Sequence, residues 1–110
     1  MNTSSIRIIG GRHKSYRIVF KASPALRPTS DRAKETLFSW LQFELENKSC
    51  LDLFAGTGGL GLEALSRGAQ HVTFVEKEKS LYKNIVKNIS HLGYENKIQV
   101  ACSDAFKWLK

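Results

Sequence analysis

The chain has 110 residues, of which 42% are hydrophobic and 25% charged, a composition that suits one globular domain with a modest core. No apolar run approaches the roughly 20 residues of a membrane-spanning helix, and residues 1–5 lack the basic flank and apolar stretch of a signal peptide. Cys50 and Cys102 lie in apolar runs, and we interpret them as two buried thiols rather than a disulfide, as is usual in a reducing compartment. We therefore expect a cytoplasmic protein without a membrane partner.

The net charge of +7 is unevenly distributed along the chain. Residues 1–34 carry eight cations and one anion, whereas residues 35–110 carry nine of each. A strongly basic segment beside a neutral one is typical of a protein with a polyanionic partner. A solvated basic tail would have the same composition, so charge alone leaves both interpretations open.

The first predicted elements are two short strands over residues 6–9 and 16–20, separated by a turn region that begins at Gly10 and Gly11. Isoleucine and arginine alternate in the first strand, which predicts one apolar and one cationic face. Two prolines then make residues 23–28 an irregular connection. These segments predict a basic N-terminal hairpin with a connection, over residues 1–30.

A helix is predicted next, over residues 31–45, because apolar residues recur there every four positions. These are Ala33, Leu37, Leu41 and Leu45. The rest of the chain alternates predicted strands with predicted helices: strand 50–54, helix 60–67, strand 71–76, helix 79–92, strand 98–102, and a turn or helix over 104–110. This alternation indicates an α/β fold with a parallel sheet.

Three strands are fewer than the five to seven that an open sheet of this kind normally has. We therefore expect the last strand to lie at an unfinished edge, and we interpret the chain as a fragment of a larger domain.

A glycine-rich turn follows the first strand of the predicted sheet. Gly56, Gly58 and Gly61 have the spacing G-x-G-x-x-G, which lets the backbone turn tightly and approach a ligand closely. Glu76 ends the next strand, twenty residues after Gly56, where a carboxylate can accept hydrogen bonds from a ribose diol. This spacing alone does not distinguish an NAD site from an S-adenosylmethionine site.

Asp52 favours S-adenosylmethionine. Its carboxylate lies four residues before the first glycine, at the carboxyl end of the strand, where a negative charge would be unfavourable beside a pyrophosphate. It suits a ligand that carries an α-ammonium and a sulfonium. NAD-binding domains also begin close to their first strand, whereas 49 residues precede this one. Asp104, just after the third strand, could meet the adenine amino group or simply cap a helix.

The chain resembles the bacterial small-subunit rRNA guanine-N2 methyltransferases of the RsmD type. Five blocks carry the resemblance: Ile6-Arg-Ile-Ile-Gly-Gly-Arg12, Leu26-Arg-Pro-Thr-Ser-Asp-Arg32, Glu35-Thr-Leu-Phe38, Leu51-Asp-Leu-Phe-Ala-Gly-Thr-Gly58 and Gly61-Leu-Glu-Ala-Leu-Ser-Arg67. The resemblance implies a Rossmann-like class I S-adenosylmethionine-dependent methyltransferase fold, incomplete here, with residues 31–110 as the N-terminal, cofactor-binding half of the domain.

The resemblance also implies S-adenosylmethionine as cofactor and a set of residues that bind it. They are Asp52, Phe54, Ala55, Gly56, Thr57, Gly58, Gly61, Glu76, Lys77, Asp104 and Ala105, with Arg27, Thr29 and Arg32 near the methionine end of the cofactor. An arginine at that end could bind the cofactor carboxylate with two parallel hydrogen bonds. The alternative for Arg32 is a surface ion pair with Glu35.

The resemblance implies that the hairpin corresponds to the element that binds RNA in the family. The residues implied in this role are Arg7, Arg12, Lys14 and Arg17. Such phosphate contacts give affinity without choice of sequence. The alternative is a packed hairpin whose arginines are merely solvated. His13 and Tyr16 could stack on a base or pack inside the protein.

The family's catalytic motif, Asn/Asp-Pro-Pro-Phe/Tyr, is not in this sequence, whose two prolines are Pro24 and Pro28. We therefore expect no catalytic residue among these 110 residues, and no activity from them alone. For the full-length protein, the resemblance implies methyl transfer to the exocyclic N2 amine of a guanine in 16S rRNA. Naked rRNA and a small-subunit assembly particle are both possible substrates.

We expect the full-length protein to be monomeric and to hold no metal, since no His, Cys and Asp residues have ligand spacing. Two alternatives remain: a methyltransferase acting on protein or a small molecule, and a noncatalytic nucleic-acid-binding module on a Rossmann-like scaffold.

Overall fold

The computed structural model describes residues 3–21, 26 and 29–110. In chain order the elements are β1 Thr3–Arg7, β2 Arg17–Lys21, α1 Asp31–Leu41, β3 Ser49–Asp52, α2 Gly59–Ser66, β4 His71–Glu76, α3 Lys79–Leu92, a 3-10 turn Glu95–Lys97, β5 Ile98–Cys102 and α4 Ala105–Trp108. The type and order of the predicted elements are confirmed. Most of the predicted connection over residues 23–28 lies outside the described residues.

The three later strands form a parallel sheet in the order β3-β4-β5. The central strand β4 supplies the middle of the core, with Val72, Phe74 and Val75 fully buried. The carboxyl ends of all three strands meet at one edge, because Asp52 pairs with Phe74 and Glu76 pairs with Cys102. The predicted edge position of the last strand is confirmed, and within the described residues β3 forms the other edge.

The N-terminal strands pair as an antiparallel hairpin, β1 with β2, in which Ile6 lies opposite Ile18. Side chains alternate along β2: Ile18 and Phe20 are buried, while Arg17, Val19 and Lys21 are exposed. The alternation predicted for the first strand is also found, since Arg7 is exposed, Ile6 is half-buried and Ile8 is buried. Ile8 and Ile18 belong to the same hydrophobic core as β4 and α2, so the hairpin is an integral part of the domain.

The predicted apolar face of α1 was wrong by one position at its start, because Ala33 is exposed and Lys34 and Phe38 are the buried residues. A lysine can occupy a core position here since its amine has polar partners inside the protein. The helix also ends at Leu41 rather than 45, and residues beyond it form turns with Asn47 at a φ of 64°. Leu45 is nevertheless buried.

Both cysteines are free thiols, as predicted, but the expected burial was wrong for Cys102. Cys50 is half-buried and Cys102 is exposed. The reason is that Cys102 ends β5, an edge strand that has no neighbour on one side among the described strands. None of the described helices combines the length and apolar character that crossing a membrane would require.

Candidate cofactor site

The glycine turn connects the end of β3 to the start of α2. Gly56 has a φ of 55° and Gly58 a φ of 84°, a left-handed region in which side chains are strained. A Cβ at Gly58 would also lie 3.1 Å from Ile85 of α3. Gly58 occupies the N-cap position of α2, so the turn presents the first backbone N–H groups of that helix.

Glu76 lies directly beside this turn. Its Oε1 accepts a hydrogen bond from Gly56 N at 2.8 Å, and its Oε2 accepts one from Glu78 N at 2.8 Å. The residue is 8% exposed, and each carboxylate oxygen has a further lone pair after these bonds. The structure therefore brings together the two predicted features, the glycine turn and the acid of the next strand, and fixes the carboxylate without using up its acceptor capacity.

Asp52 is the most unusual group at the site. Its Oδ2 is, among the residues that the structure describes, the one buried side-chain polar atom without a hydrogen-bond partner. Burial raises the pKa of this carboxyl above its ordinary value, and the nearby Glu76 carboxylate raises it further. The backbone N–H groups of Gly61 and Phe54 oppose this rise. Leaving such an oxygen unpaired costs about 1–3 kcal/mol, which a cationic ligand would recover. The residue present therefore fits a ligand that carries an ammonium group.

Gly61 has a structural role in this arrangement. A Cβ there would lie 2.2 Å from the ring of Phe74, so only glycine lets α2 approach β4 this closely. The N–H of Gly61 opposes the rise in the pKa of the Asp52 carboxyl. The third glycine of the motif thus acts on the site through packing and through its effect on the pKa of Asp52.

A small cavity of about 80 Å³ lies beside the glycine turn and opens to solvent on one side. Five of the predicted cofactor residues line it: Thr29, Phe54, Ala55, Gly56 and Thr57. Five residues that were not predicted also line it: Ile6, Leu26, Lys34, Gly59 and Leu60. The hairpin, the connection, α1 and the glycine turn therefore all contribute walls to one pocket.

Lys34 is the charged residue of this pocket that the sequence interpretation missed. Its side chain is 1% exposed, and Nζ donates to Arg7 O at 2.5 Å and lies 3.9 Å from both Asp31 Oδ1 and Glu63 Oε1. Burial lowers the pKa of this amine, and the Glu63 and Asp31 carboxylates oppose that shift. A signal was present in the sequence, since Lys34 lies between two of the blocks that carry the family resemblance, Leu26–Arg32 and Glu35–Phe38.

Glu63 holds the hairpin against this pocket. It is fully buried on α2, and its two oxygens accept hydrogen bonds from Ile9 N and Gly10 N, each at 2.9 Å. Arg67 Nε donates to the same carboxylate at 2.8 Å. One buried carboxylate therefore joins the turn end of the hairpin to α2 and balances the charge of Lys34.

Arg32 is not brought into the pocket. It is exposed and lines a separate shallow depression on α1, with Ser30, Ala33, Thr36, Leu37 and Trp40. The alternative ion pair with Glu35 is not found among the described residues either. The predicted Arg27 lies outside the described residues, so its contribution remains a prediction.

Asp104 caps a helix, the second of the two interpretations left open by the sequence. Its Oδ1 accepts hydrogen bonds from Phe106 N at 2.9 Å and Lys107 N at 3.2 Å. Ala105 is buried directly after it, and Lys77 is exposed after β4. The exposed rings of Phe54 and Phe106 meet edge to face at 6.2 Å, which places an aromatic pair at the carboxyl ends of β3 and β5.

The predicted RNA-binding cations differ in whether another side chain already binds them. Arg12 and Lys14 are exposed on the hairpin turn, and Arg17 donates to Ser5 Oγ at 3.0 Å while staying exposed. Arg7 Nε lies 3.1 Å from Asp31 Oδ2, so part of its charge is already balanced. Tyr16 is used in packing, because its hydroxyl donates to Asn88 at 2.7 Å.

Comparison with known proteins places the chain in a family. The family described as conserved hypothetical protein 95 matches residues 6–110. Ribosomal RNA small subunit methyltransferase D of Buchnera aphidicola is 44% identical over 107 residues, covering 97% of this chain and 56% of that protein. The protein of the same name in Escherichia coli is 43% identical over 107 residues, covering 97% of this chain and 54% of its own length. The chain thus spans about half the length of these curated relatives.

Solved structures agree with this assignment. A protein from Escherichia coli, provisionally named methyltransferase yhhF, is 39% identical with a TM-score of 0.88, covering 96% of this chain and 56% of that one. A provisionally named methylase from Haemophilus influenzae is 37% identical with a TM-score of 0.79, covering 97% of this chain and 56% of that one. The incomplete Rossmann-like methyltransferase fold is therefore confirmed. The chain belongs to the conserved hypothetical protein 95 family and is similar, along nearly its whole length, to the ribosomal RNA small subunit methyltransferases D.

Proposed function

We propose that the full-length protein transfers a methyl group from S-adenosylmethionine to the exocyclic N2 amine of a guanine in 16S rRNA. The observation that carries the cofactor half of this proposal is the unpartnered, buried Oδ2 of Asp52 at the glycine turn. A buried carboxylate oxygen of this kind is unfavourable beside a pyrophosphate and favourable beside an ammonium.

Three charged residues around the turn would each act on a different part of the cofactor. Asp52 would bind the α-ammonium, since its free oxygen needs a donor. Glu76 would accept from the ribose hydroxyls with the lone pairs left after its two backbone bonds. Lys34 lines the same pocket, and because Glu63 already shares its charge it would add only a partial positive potential near the cofactor carboxylate. Asp104, Ala105 and Phe106 lie at the carboxyl end of β5, where the adenine would bind.

The bound donor would supply an electrophilic methyl group. The described residues contribute by positioning and by excluding water, because the apolar walls of the pocket are formed by Ile6, Leu26 and Leu60. We assign no proton transfer to any described residue. No metal is needed for a reaction in which a neutral amine attacks the methyl group directly.

The substrate half of the proposal rests on the relatives and on charge. The relatives are named as methyltransferases of small-subunit ribosomal RNA, and the net charge of this chain is concentrated in residues 1–34. The hairpin cations Arg12, Lys14 and Arg17 are exposed and would contact phosphates, with Arg7 contributing less because of its pairing with Asp31. The proposed setting is the cytoplasm, with 16S rRNA or an assembling small subunit as partner and a monomeric enzyme.

Methyl transfer to ribosomal particles tests the proposal. The full-length protein is incubated with radiolabelled S-adenosylmethionine and 30S subunits from a strain that lacks it. We expect label in 16S rRNA, recovered as N2-methylguanosine after nuclease digestion. Label in ribosomal protein, or in another modified nucleoside, would contradict the assignment of the substrate.

A further inference from the structure

Helix α3 carries a row of lysines that the charge distribution along the sequence conceals. Lys79, Lys83 and Lys87 are spaced by four residues, so they project from the same side of the helix. All three are exposed, and the helix contains no aspartate or glutamate. Residues 35–110 are neutral overall, yet the fold collects three of their nine cations on one helix surface.

The opposite side of α3 faces the core through Ile85 and Ile89, which are buried. The lysines therefore lie on the solvent side. Among the described residues none of them forms an ion pair, since the described salt bridges join Arg7, Lys34 and Arg67 to acids elsewhere.

The basic hairpin runs alongside the same helix. His13 meets the ring of Tyr94 edge to face at 5.1 Å, just beyond the carboxyl end of α3. Tyr16 donates to Asn88 at 2.7 Å.

Further along the hairpin, Val19 O accepts a hydrogen bond from Asn84 Nδ2 at 2.9 Å. As the residue number rises from 13 to 16 to 19 along the hairpin, the number of the contacted residue falls from 94 to 88 to 84. The hairpin segment and α3 therefore run antiparallel to one another.

This arrangement places two sets of cations next to each other. The exposed face of β2 presents Arg17 and Lys21. On the helical wheel Lys87 lies about 60° from Asn84, the residue that holds β2, and Lys83 follows on the solvent side. The exposed surface therefore continues from the cationic strand onto the lysine row. We call this continuous surface, formed by Arg17, Lys21, Lys83 and Lys87, the strand–helix basic surface.

We propose that the strand–helix basic surface binds the phosphate backbone of the RNA substrate, so that α3 is a second RNA-binding element beside the hairpin. This inference rests on the proposed function, because it takes RNA as the substrate. A row of unpaired lysines with no acid among them complements a polyanion, and each phosphate contact adds to affinity through counterion release. Lysine contacts of this kind would fix the orientation of the RNA and leave base recognition to other residues.

Salt-dependent binding to 16S rRNA tests this inference. The full-length protein is titrated into fluorescein-labelled 16S rRNA between about 0.05 and 0.2 M salt, and the slope of log K against log salt is compared for Lys83→Gln, Lys87→Gln and the double variant. Each single substitution should reduce the slope by roughly 0.7–0.9 and weaken binding about fivefold at 0.1 M salt. Glutamine has nearly the helix propensity of lysine, so α3 should remain folded.

Two further variants separate the possible outcomes. Lys48→Gln removes one exposed cation just before β3, outside this surface, and should leave the slope unchanged. Arg17→Gln should reduce the slope as an α3 variant does. If Arg17→Gln reduces the slope and the α3 variants do not, the role of α3 is wrong while the RNA proposal stands. If neither changes the slope, the strand–helix basic surface does not bind RNA and the inference is wrong, while methyl transfer to 30S subunits decides separately whether RNA is the substrate. An equal effect of Lys48→Gln would show unspecific attraction and would also overturn the inference.

Discussion

Replacing Glu63 by glutamine tests how the hairpin is held to the cofactor half of the domain. The Glu63 side chain is fully buried, and the Lys34 amine 3.9 Å away is 1% exposed. Neutralising one partner of a buried ion pair costs about 3–5 kcal/mol, because the remaining charge stays in a poorly solvating environment. Glutamine also offers one acceptor oxygen where the carboxylate serves three N–H donors, those of Ile9, Gly10 and Arg67. We expect a loss of about 4 kcal/mol in the free energy of unfolding.

Urea denaturation of the full-length protein measures this loss. With a slope of about 2 kcal/mol per molar, the midpoint should fall by about 2 M. Glu44→Gln is the matched control, since Glu44 is exposed and should change stability by less than about 0.5 kcal/mol. Adding Lys34→Met to Glu63→Gln should restore part of the stability, because no unpaired charge then remains buried. A loss below about 1 kcal/mol for Glu63→Gln would refute this account of the cluster.

Three further predictions concern the glycine turn and Asp52. Gly61→Ala should destabilise the protein by about 1–3 kcal/mol because its Cβ would overlap the Phe74 ring, whereas Gly93→Asn, at an open left-handed helix end, should be nearly neutral in the same unfolding assay. Asp52→Asn should weaken S-adenosylmethionine binding about 10- to 100-fold by calorimetry, the value of a charge-assisted hydrogen bond. Because burial raises the pKa of Asp52 in the folded state, this residue favours folding at low pH and that contribution is lost as pH rises through its folded pKa. Asp52→Asn should therefore be at least as stable as the parent at neutral pH, and lower stability there would contradict the assigned burial.

Local patterns were sufficient to predict most of the fold. Alternating strands and helices with glycine at the helix ends predicted the elements from β3 to α4, and the bounds of α3 and β5 were predicted without error. The glycine spacing and Glu76 predicted the centre of the site, since strand ends in a parallel sheet must meet at one edge.

The misplaced features depend on contacts between distant segments. The buried face of α1 could not be predicted from periodicity, because the burial of Lys34 depends on polar partners from other segments. Glu63 lies 29 residues after it in the chain, and the Arg7 carbonyl lies 27 residues before it. Arg32 was expected near the cofactor from the family resemblance. It does not line the cavity, because it lies two residues, and so about 200° of helix, from Lys34, which does. The lysine row of α3 was hidden by an overall neutral composition.

Calorimetric titration of the full-length protein with S-adenosylmethionine, S-adenosylhomocysteine and NAD tests the central claim about the site most directly. The unpartnered Asp52 oxygen beside the glycine turn predicts that both S-adenosyl ligands bind, that NAD does not, and that Asp52→Asn weakens the binding of both. Binding of NAD without S-adenosylmethionine or S-adenosylhomocysteine would contradict it.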